Sequence, residues 1–396
     1  MSEAPLDVAS LLGPEGPIAR RLEDFEVRPQ QLELSLAVEQ ALANGKHLVA
    51  EAGTGTGKSF AYLLPAAMHA DRRQGDGPVI ISTRTIALQE QLESKDLPLL
   101  HAVLPFEWSS VTAIGRNNYL CLRRMHQAER EQTLFEDPER HAQLRKIVDW
   151  SLNAGDGTRQ ELDFPPRPEV WESVQAEHGN CLQRACKHFD QCYWQRARRR
   201  MQTAQVLVVN HALYFADLAL RIAGASYLPA HRVVVFDEAH HLEKTATESL
   251  GLRIGRSTVG WHLRRIHKRR GERTLLSRHG SGAAKLLWEE ALQLNDAFFD
   301  SLQSRVRAGD SSSASVALRG EAIQENLSPI LRALSGELAA AALRTERVDE
   351  QMELQARANG LDGLCQTLKA LCVPNPDAST PLVCLLYTSP SPRDRS

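Results

Sequence analysis

Residues 48–68 read LVAEAGTGTGKSFAYLLPAAM, and this stretch decides the fold. Leu48 to Ala50 read as the end of a buried strand. A loop of Gly53, Thr54, Gly55, Thr56 and Gly57 follows, then Lys58, Ser59 and an apolar helix. Phosphate binding needs this order. Glycines let backbone N–H groups turn inward, a helix N-terminus adds partial positive charge, and a lysine reaches the outer phosphates. A serine hydroxyl in this place ligates magnesium. The usual pattern opens on glycine where Ala52 stands here, a tolerated variation. A merely flexible glycine-rich turn is the competing reading; the lysine, the serine and the flanking elements weigh against it. The fold class expected is α/β, with a nucleotide at the ends of a parallel sheet.

The partner of this loop is RVVVFDEAHHLEK, residues 232–244. Val233 to Phe236 form an apolar run without alternation, as in a strand buried on both faces. Asp237 and Glu238 follow at its C-terminal end. Asp237 is placed to hold magnesium, and Glu238 to polarise an attacking water as general base. An acidic helix start would explain an isolated Asp-Glu pair, but not one with a strand leading in and Ala239-His240 following.

Composition bounds the rest. The 396 residues allow two or three domains, with 42% hydrophobic and 24% charged residues, as in globular proteins. A formal net charge of −2 means that any affinity for nucleic acid comes from local basic patches. The first residues lack the basic-then-apolar layout of a signal peptide. The longest apolar candidate, VLVVNHALYFADLAL (206–220), is broken by His211 and Asp217. Seven cysteines without a secretion signal are expected to be reduced thiols in the cytoplasm.

Lys58 and Asp237 stand 179 residues apart, far more than a crossover between parallel strands requires. A sizeable insertion is therefore expected, and it contains Cys121, Cys181, Cys186 and Cys192. Four cysteines can hold zinc or an iron–sulfur cluster. Zinc sites usually show two close pairs, whereas a lone cysteine with a spaced triplet suits a cubane, whose thiolates each reach a separate iron. Four buried free cysteines are the bland alternative; their arginine, lysine, histidine and aspartate neighbours argue against it. From Cys181 to Met201 there are six Lys or Arg and one acid, with Tyr193 and Trp194 interleaved. Such a run suits a single-stranded nucleic acid, with Arg196, Arg198 and Arg199 as candidate contacts. A solvated helix face is the ordinary alternative.

The letters DEAH with the phosphate loop resemble the superfamily 2 helicases. In that resemblance Lys58, Asp237 and Glu238 are catalytic, and His240 couples the nucleotide to the nucleic acid. Within FEVRPQQLELSLAVEQAL (25–42), Arg28 and Gln31 match the element that reads adenine. In VIISTRTIALQEQL (79–92), Thr83, Arg84 and Thr85 follow a strand where hydroxyls and N–H groups suit phosphates of a bound strand. Asn210 and His211, ending the strand at 206–210, are further candidates to sense DNA or link it to the nucleotide.

The segments GRNNYLC (115–121), the cysteine triplet, VLVVNHALYFAD and FDEAHHLE, in this order, resemble the iron–sulfur DNA helicases of the XPD group, in its bacterial DinG/YoaA branch. The resemblance implies ATP, Mg²⁺ and a 4Fe–4S cluster held by Cys121, Cys181, Cys186 and Cys192. It implies a RecA-like P-loop domain over 1–110 and 205–245, interrupted by an iron–sulfur domain at 111–204. A helical arch domain is expected at 246–380, with apolar residues at helical spacing over 282–307, 320–345 and 347–372. The implied partner is single-stranded or forked DNA, unwound 5′ to 3′ in repair or replication by a monomer at the bacterial nucleoid, with no membrane.

The tail CLLYTSPSPRDRS (384–396) breaks the pattern and resembles adaptor read-through. Neither an S-A-T element nor a Q-x-x-G-R-x-x-R element occurs. A second RecA-like domain is therefore expected to be missing, leaving an N-terminal fragment inactive alone. Two other readings stay open: a DNA-binding redox module without unwinding activity, and a DEAH-type RNA helicase with a zinc insertion.

Overall fold

The computed structural model describes residues 7–21, 26–53, 55–73, 75–130, 137–268, 274–308, 315–318, 322–373 and 384–387. The chain divides into two compact units. One comprises 1–115 and 195–251, the other 116–194 and 252–396. The stretches expected as separate iron–sulfur and arch domains fall together in the second unit.

The first unit is built on a parallel four-stranded sheet. Its strands are β1 (Val79–Thr83), β2 (Ser110–Thr112), β3 (Val206–Asn210) and β4 (Val233–Phe236), in the order β2-β3-β1-β4. Register pairs Val79 with both Val206 and Val233, and Ser82 with Val209 and Phe236. Every residue of β1 is buried, as its continuous apolar run requires of a central strand. The helix Lys58–Arg72 buries Ala61 to Ala67 without interruption, and Leu63, Leu64, Ile81, Val206 and Val208 share one core. The helix Pro29–Asn44 starts on proline at its first position and stops at Gly45, whose φ of +62° is the left-handed cap.

Two expectations about strands need correction. Leu48 to Ala50 form no strand: they run irregularly with Leu48 43% and Val49 98% exposed. A strand exists only through pairing, and no described segment pairs with these residues. For the same reason β4 is half-buried along its whole length rather than buried on both faces. It pairs with β1 alone and is the edge of the described sheet.

The second unit has its own core, formed by the helices Arg256–Ile266, Gly282–Ala308, Leu327–Arg344 and Val348–Cys372. The last two run antiparallel: Ser335 Oγ donates to the Ala358 carbonyl at 3.0 Å, and Cys365 Sγ to the Ser328 carbonyl at 3.4 Å. Trp288, Phe298, Cys365 and Cys372 are buried as packing residues. Residues 384–387 of the tail pair antiparallel with 315–318; 388–396 lie outside the described residues. Among the described residues no helix is long and apolar enough to cross a membrane.

Within the second unit a buried ionic network ties the cysteine-bearing stretch to the helices. Glu177 pairs with Arg357 at 2.7 Å, Arg265 at 2.5 Å and Arg124 at 3.7 Å. Glu353 pairs with Arg357 and with Arg124. Asn180, beside Cys181, bonds Glu353 and accepts from Arg123 at 2.5 Å. The arginines hold the Glu177 carboxyl far below the usual carboxylate range against the opposing effect of burial, and Glu353 at about 2.

Candidate nucleotide site

Gly55 and Gly57 take φ of +80° and +79°, a region that side chains rarely enter. Gly57 then opens the helix Lys58–Arg72. Two side chains from the preceding helix hold the loop from behind. Arg28 Nη1 donates to the Gly55 carbonyl at 2.6 Å, and Gln31 Nε2 to the Gly57 carbonyl at 2.9 Å. A Cβ at Gly57 would lie 2.1 Å from the Gln31 amide, so the glycine also makes room for that contact. Arg28 and Gln31 are thus loop braces here. With the carbonyls held back, loop N–H groups are free to face an anion. Thr56 Oγ1 donates to the Gly53 carbonyl at 3.0 Å. Thr54 lies outside the described residues.

The acidic pair converges on this loop. Lys58 Nζ meets Glu238 Oε1 at 3.3 Å, both about one third exposed. The Asp237 N–H donates to the Ser82 carbonyl at 2.9 Å, which fixes it at the end of β4 beside β1. Burial, and then the neighbouring Glu238 charge, raise the Asp237 carboxyl above its ordinary range. Glu238 sits at φ +53°, ψ +47°. A non-glycine residue in this conformation carries strain, and such strain concentrates at functional sites. His240 stays exposed, with Nδ1 3.4 Å from Glu238 Oε2 and its ring against His241.

Sequence reading missed Tyr62, whose hydroxyl donates to Asp237 Oδ2 at 3.3 Å from one turn along the helix. Its position three residues after Ser59 was the available signal. Burial, with Asp237 beside it, pushes this phenol well above its usual range. The residues fit a magnesium nucleotide: an open glycine loop, a lysine, a serine and a half-buried aspartate.

The expected nucleic-acid residues separate into two groups. Arg84 and Thr85 are exposed after β1, and Arg198 and Arg199 on the helix Tyr193–Thr203. Thr83 is buried, its hydroxyl near the Thr85 carbonyl at 3.3 Å, and Arg196 is half-buried. His211 is fully buried with Nδ1 2.7 Å from Ser82 Oγ, so it reaches a bound strand only through other groups. Asn210 caps the next helix by accepting from the Leu213 N–H at 2.8 Å, and its amide reaches Gln89.

Tyr193 and Trp194 overturn the stacking expectation. Both are buried, with Ala197 and Met201 on the same helix face. The Trp194 ring packs against Tyr119 at 5.5 Å and lies under the Arg116 guanidinium at 5.4 Å. Buried aromatic area outweighs exposure to a ligand at these positions. Trp194→Ala is therefore expected to lower unfolding stability by about 3 kcal/mol in urea titration. Arg198→Ala should change it by less than about 0.5 kcal/mol.

Cys121, Cys181, Cys186 and Cys192 are half-exposed, in contrast to buried Cys365 and Cys372. Cys121 directly precedes the helix Leu122–Arg130, while the Cys186 N–H donates to the Gln183 carbonyl and the Cys192 N–H to the Phe189 carbonyl. Among the described residues no three His, Cys, Asp or Glu side chains are placed to hold a metal ion. The four thiols have the chemistry of cluster ligands, but they are not gathered as a single-ion site.

Two family models match the chain: DEAD/DEAH box helicase over residues 33–143 and DEAD_2 over 171–259. The first spans the phosphate loop, the second the cysteine triplet and Asp237 to His240. The chain is 37% identical over 250 residues to the ATP-dependent DNA helicase YoaA of Haemophilus influenzae, covering 62% of this chain and 37% of that protein. It is 36% identical to YoaA of Escherichia coli, over 60% of this chain and 37% of the relative. It is 37% identical to the ATP-dependent helicase DinG of Mycobacterium tuberculosis, over 60% of this chain and 38% of the relative. The chain thus spans under two fifths of the length of these curated relatives. In chain order around the nucleotide site, then, this chain carries a DEAD/DEAH box helicase region followed by a DEAD_2 region, and over about 60% of its length it is homologous to YoaA and DinG.

Proposed function

We propose that the protein carrying this chain is an ATP-dependent DNA helicase. The observation that carries this reading is the convergence of Lys58, Asp237 and Glu238 on a loop braced by Arg28 and Gln31. Bound ATP and Mg²⁺ supply the phosphoanhydride and its charge neutralisation. Lys58 leaves Glu238 to meet the outer phosphates, Ser59 and Asp237 face the cation, and Glu238 is freed to accept a proton from water. The Glu238–His240 contact gives that exchange a route to the surface. Arginines facing the site from a second RecA-like domain are worth about 10³ to 10⁵ in rate.

The finer reading is ours as well. Single-stranded or forked DNA runs past Arg84, Thr85, Arg198 and Arg199, moved 5′ to 3′ by a monomer in repair or replication at the bacterial nucleoid. Cys121, Cys181, Cys186 and Cys192 hold a 4Fe–4S cluster in the second unit. The partial exposure of these four cysteines, against the burial of Cys365 and Cys372, supports that assignment.

The test is metal analysis of the anaerobically purified chain together with binding to single-stranded DNA. About four irons and four sulfides per chain are expected, lost in Cys186→Ala. DNA affinity should fall about tenfold in Arg198→Ala/Arg199→Ala with a shallower salt slope. Zinc without sulfide would sink the cluster. Preference for RNA over DNA of the same sequence would favour the RNA-helicase reading.

A further inference from the structure

Gln89 lies on the helix Ile86–Gln91, one turn after Thr85, whose hydroxyl caps that helix by accepting from the Leu88 N–H at 3.2 Å. Its side chain enters the first unit at the carboxyl end of the sheet and is only 1% exposed. There Nε2 donates to the Ala113 carbonyl, just past β2, at 3.1 Å and to the Val208 carbonyl on β3 at 3.4 Å. Oε1 accepts from Asn210 Nδ2 at 3.4 Å. One buried amide thus joins the segment of Arg84 and Thr85 to Asn210, two of the stretches expected to meet nucleic acid.

The direction of each amide in this set is forced. A carbonyl oxygen only accepts, so Ala113 and Val208 demand the NH₂ of Gln89 and leave its oxygen for Asn210. The Asn210 oxygen is taken by the Leu213 N–H at 2.8 Å, where it caps the helix His211–Ile222, so its nitrogen is what remains for Gln89. The Val208 carbonyl also accepts the Ala113 N–H at 2.8 Å, so the pairing of β2 with β3 stands without Gln89. A buried amide exchanges bonds to water for bonds to protein, with little net gain over an apolar side chain of the same shape. A fully satisfied polar set contributes instead a unique orientation and spacing.

We infer that Gln89 is a positioning residue for a bound nucleic-acid strand, holding Arg84 and Thr85 at one spacing from Asn210. Arg84 and Thr85 are exposed, while Gln89 in the next turn is buried. Phosphates repeat along a strand at a set interval, and contacts to them fix register. Contacts from separate segments add only where their spacing matches that interval. Without the amide, the helix after Arg84 loses its side-chain bonds to the ends of β2 and β3. Binding must then order that segment, a cost taken from affinity. The nucleotide loop is held by other bonds, those of Arg28 and Gln31, and the Asp237 N–H rests on the Ser82 carbonyl. Loss of Gln89 therefore reaches the strand and spares the nucleotide.

This inference rests on the DNA reading, and the experiment separates the two. Binding of fluorescein-labelled oligo(dT), and separately of N-methylanthraniloyl-ATP with Mg²⁺, to the 396-residue chain is followed by fluorescence. Gln89→Met keeps the length of the side chain and removes its hydrogen bonds. It is expected to weaken DNA binding about 5- to 10-fold, the worth of one or two such bonds. Nucleotide affinity should stay within about twofold, as for an independent site. In an Arg84→Ala background, Gln89→Met should cost less than about twofold, whereas in Arg198→Ala it should keep its full effect. Asn210→Ser preserves the helix cap and cuts the link from the other side. It should weaken DNA binding, be non-additive with Arg84→Ala, and so test the same link if Gln89→Met does not fold. Unchanged DNA affinity in Gln89→Met, or full additivity of either variant with Arg84→Ala, would overturn the proposal. So would equal weakening of DNA and nucleotide, the mark of a merely structural residue. If the wild-type chain binds no single strand, or Arg84→Ala binds it as well as wild type, the DNA reading of this edge itself fails and this proposal with it.

Discussion

Lys58→Ala is expected to weaken Mg-ATP binding about 100-fold, and Glu238→Gln to leave it intact while stopping hydrolysis. The two residues touch in this structure, yet their losses should diverge. Lys58 gives a charge-assisted contact to phosphate, worth about 3 kcal/mol. Its present partner is Glu238 at 3.3 Å, and that pair must open before phosphate is bound. Removing the Glu238 charge frees Lys58, so ATP should bind equally or up to about fivefold tighter, the range of a half-exposed ion pair. Hydrolysis should fall about 10²- to 10⁴-fold, the usual contribution of a general base. Equilibrium nucleotide binding and DNA-stimulated phosphate release are the two measurements. Parallel loss of both in Glu238→Gln would remove the general-base assignment.

Arg357→Ala should destabilise the second unit by about 3–5 kcal/mol. Arg357 is buried and pairs with Glu177 and Glu353 together. Taking away one partner leaves two carboxylates facing a low-dielectric interior. The same network sets the acid response. Burial, with Arg265 and Arg357 nearby, lowers His262 from 6.5 to about 4, so it is neutral in the fold at pH 6. The unfolded chain binds that proton first as pH falls. The His262 contribution is complete above pH 6.5 and is lost between 6.5 and 4, about 3 kcal/mol in all. Glu177 and Glu353 are depressed from 4.5, so their contribution is complete above that value and lost below it. Both effects have the same sign. Urea unfolding followed by the fluorescence of Trp261 and Trp288 should show a midpoint that drops from pH 7.5 to 5. His262→Gln should flatten that segment. A pH-independent midpoint in the wild-type chain would contradict the network.

The chemistry of the nucleotide site was legible in the chain because it is local. Glycine spacing, a lysine at a helix start and an acidic pair after an apolar run each state their own requirement within a few residues. The parallel sheet followed from β1 and β3, whose apolar runs are long enough to specify burial on both faces. Leu48 to Ala50 carry the same signal and form no strand, since a strand depends on a neighbour that residues 48–50 cannot specify. Tyr193 and Trp194 fail for a related reason. Aromatic residues among arginines serve a core or a ligand equally well, and only the packing of Tyr119 and Arg116 against Trp194 decides between them.

By itself, then, the amino-acid order pointed to Lys58, Asp237 and Glu238 as one candidate site, set four cysteines apart from Cys365 and Cys372, and indicated the α/β class. Tertiary structure alone decided the rest. It set Arg28 and Gln31 against the loop carbonyls, joined Glu177 to Arg357 across 180 residues, and brought Lys58 against Glu238. The physical reason is common to all three. A charged or amide side chain is exposed or buried, paired or unpaired, according to what the rest of the chain brings to it, and no short window of sequence contains that partner.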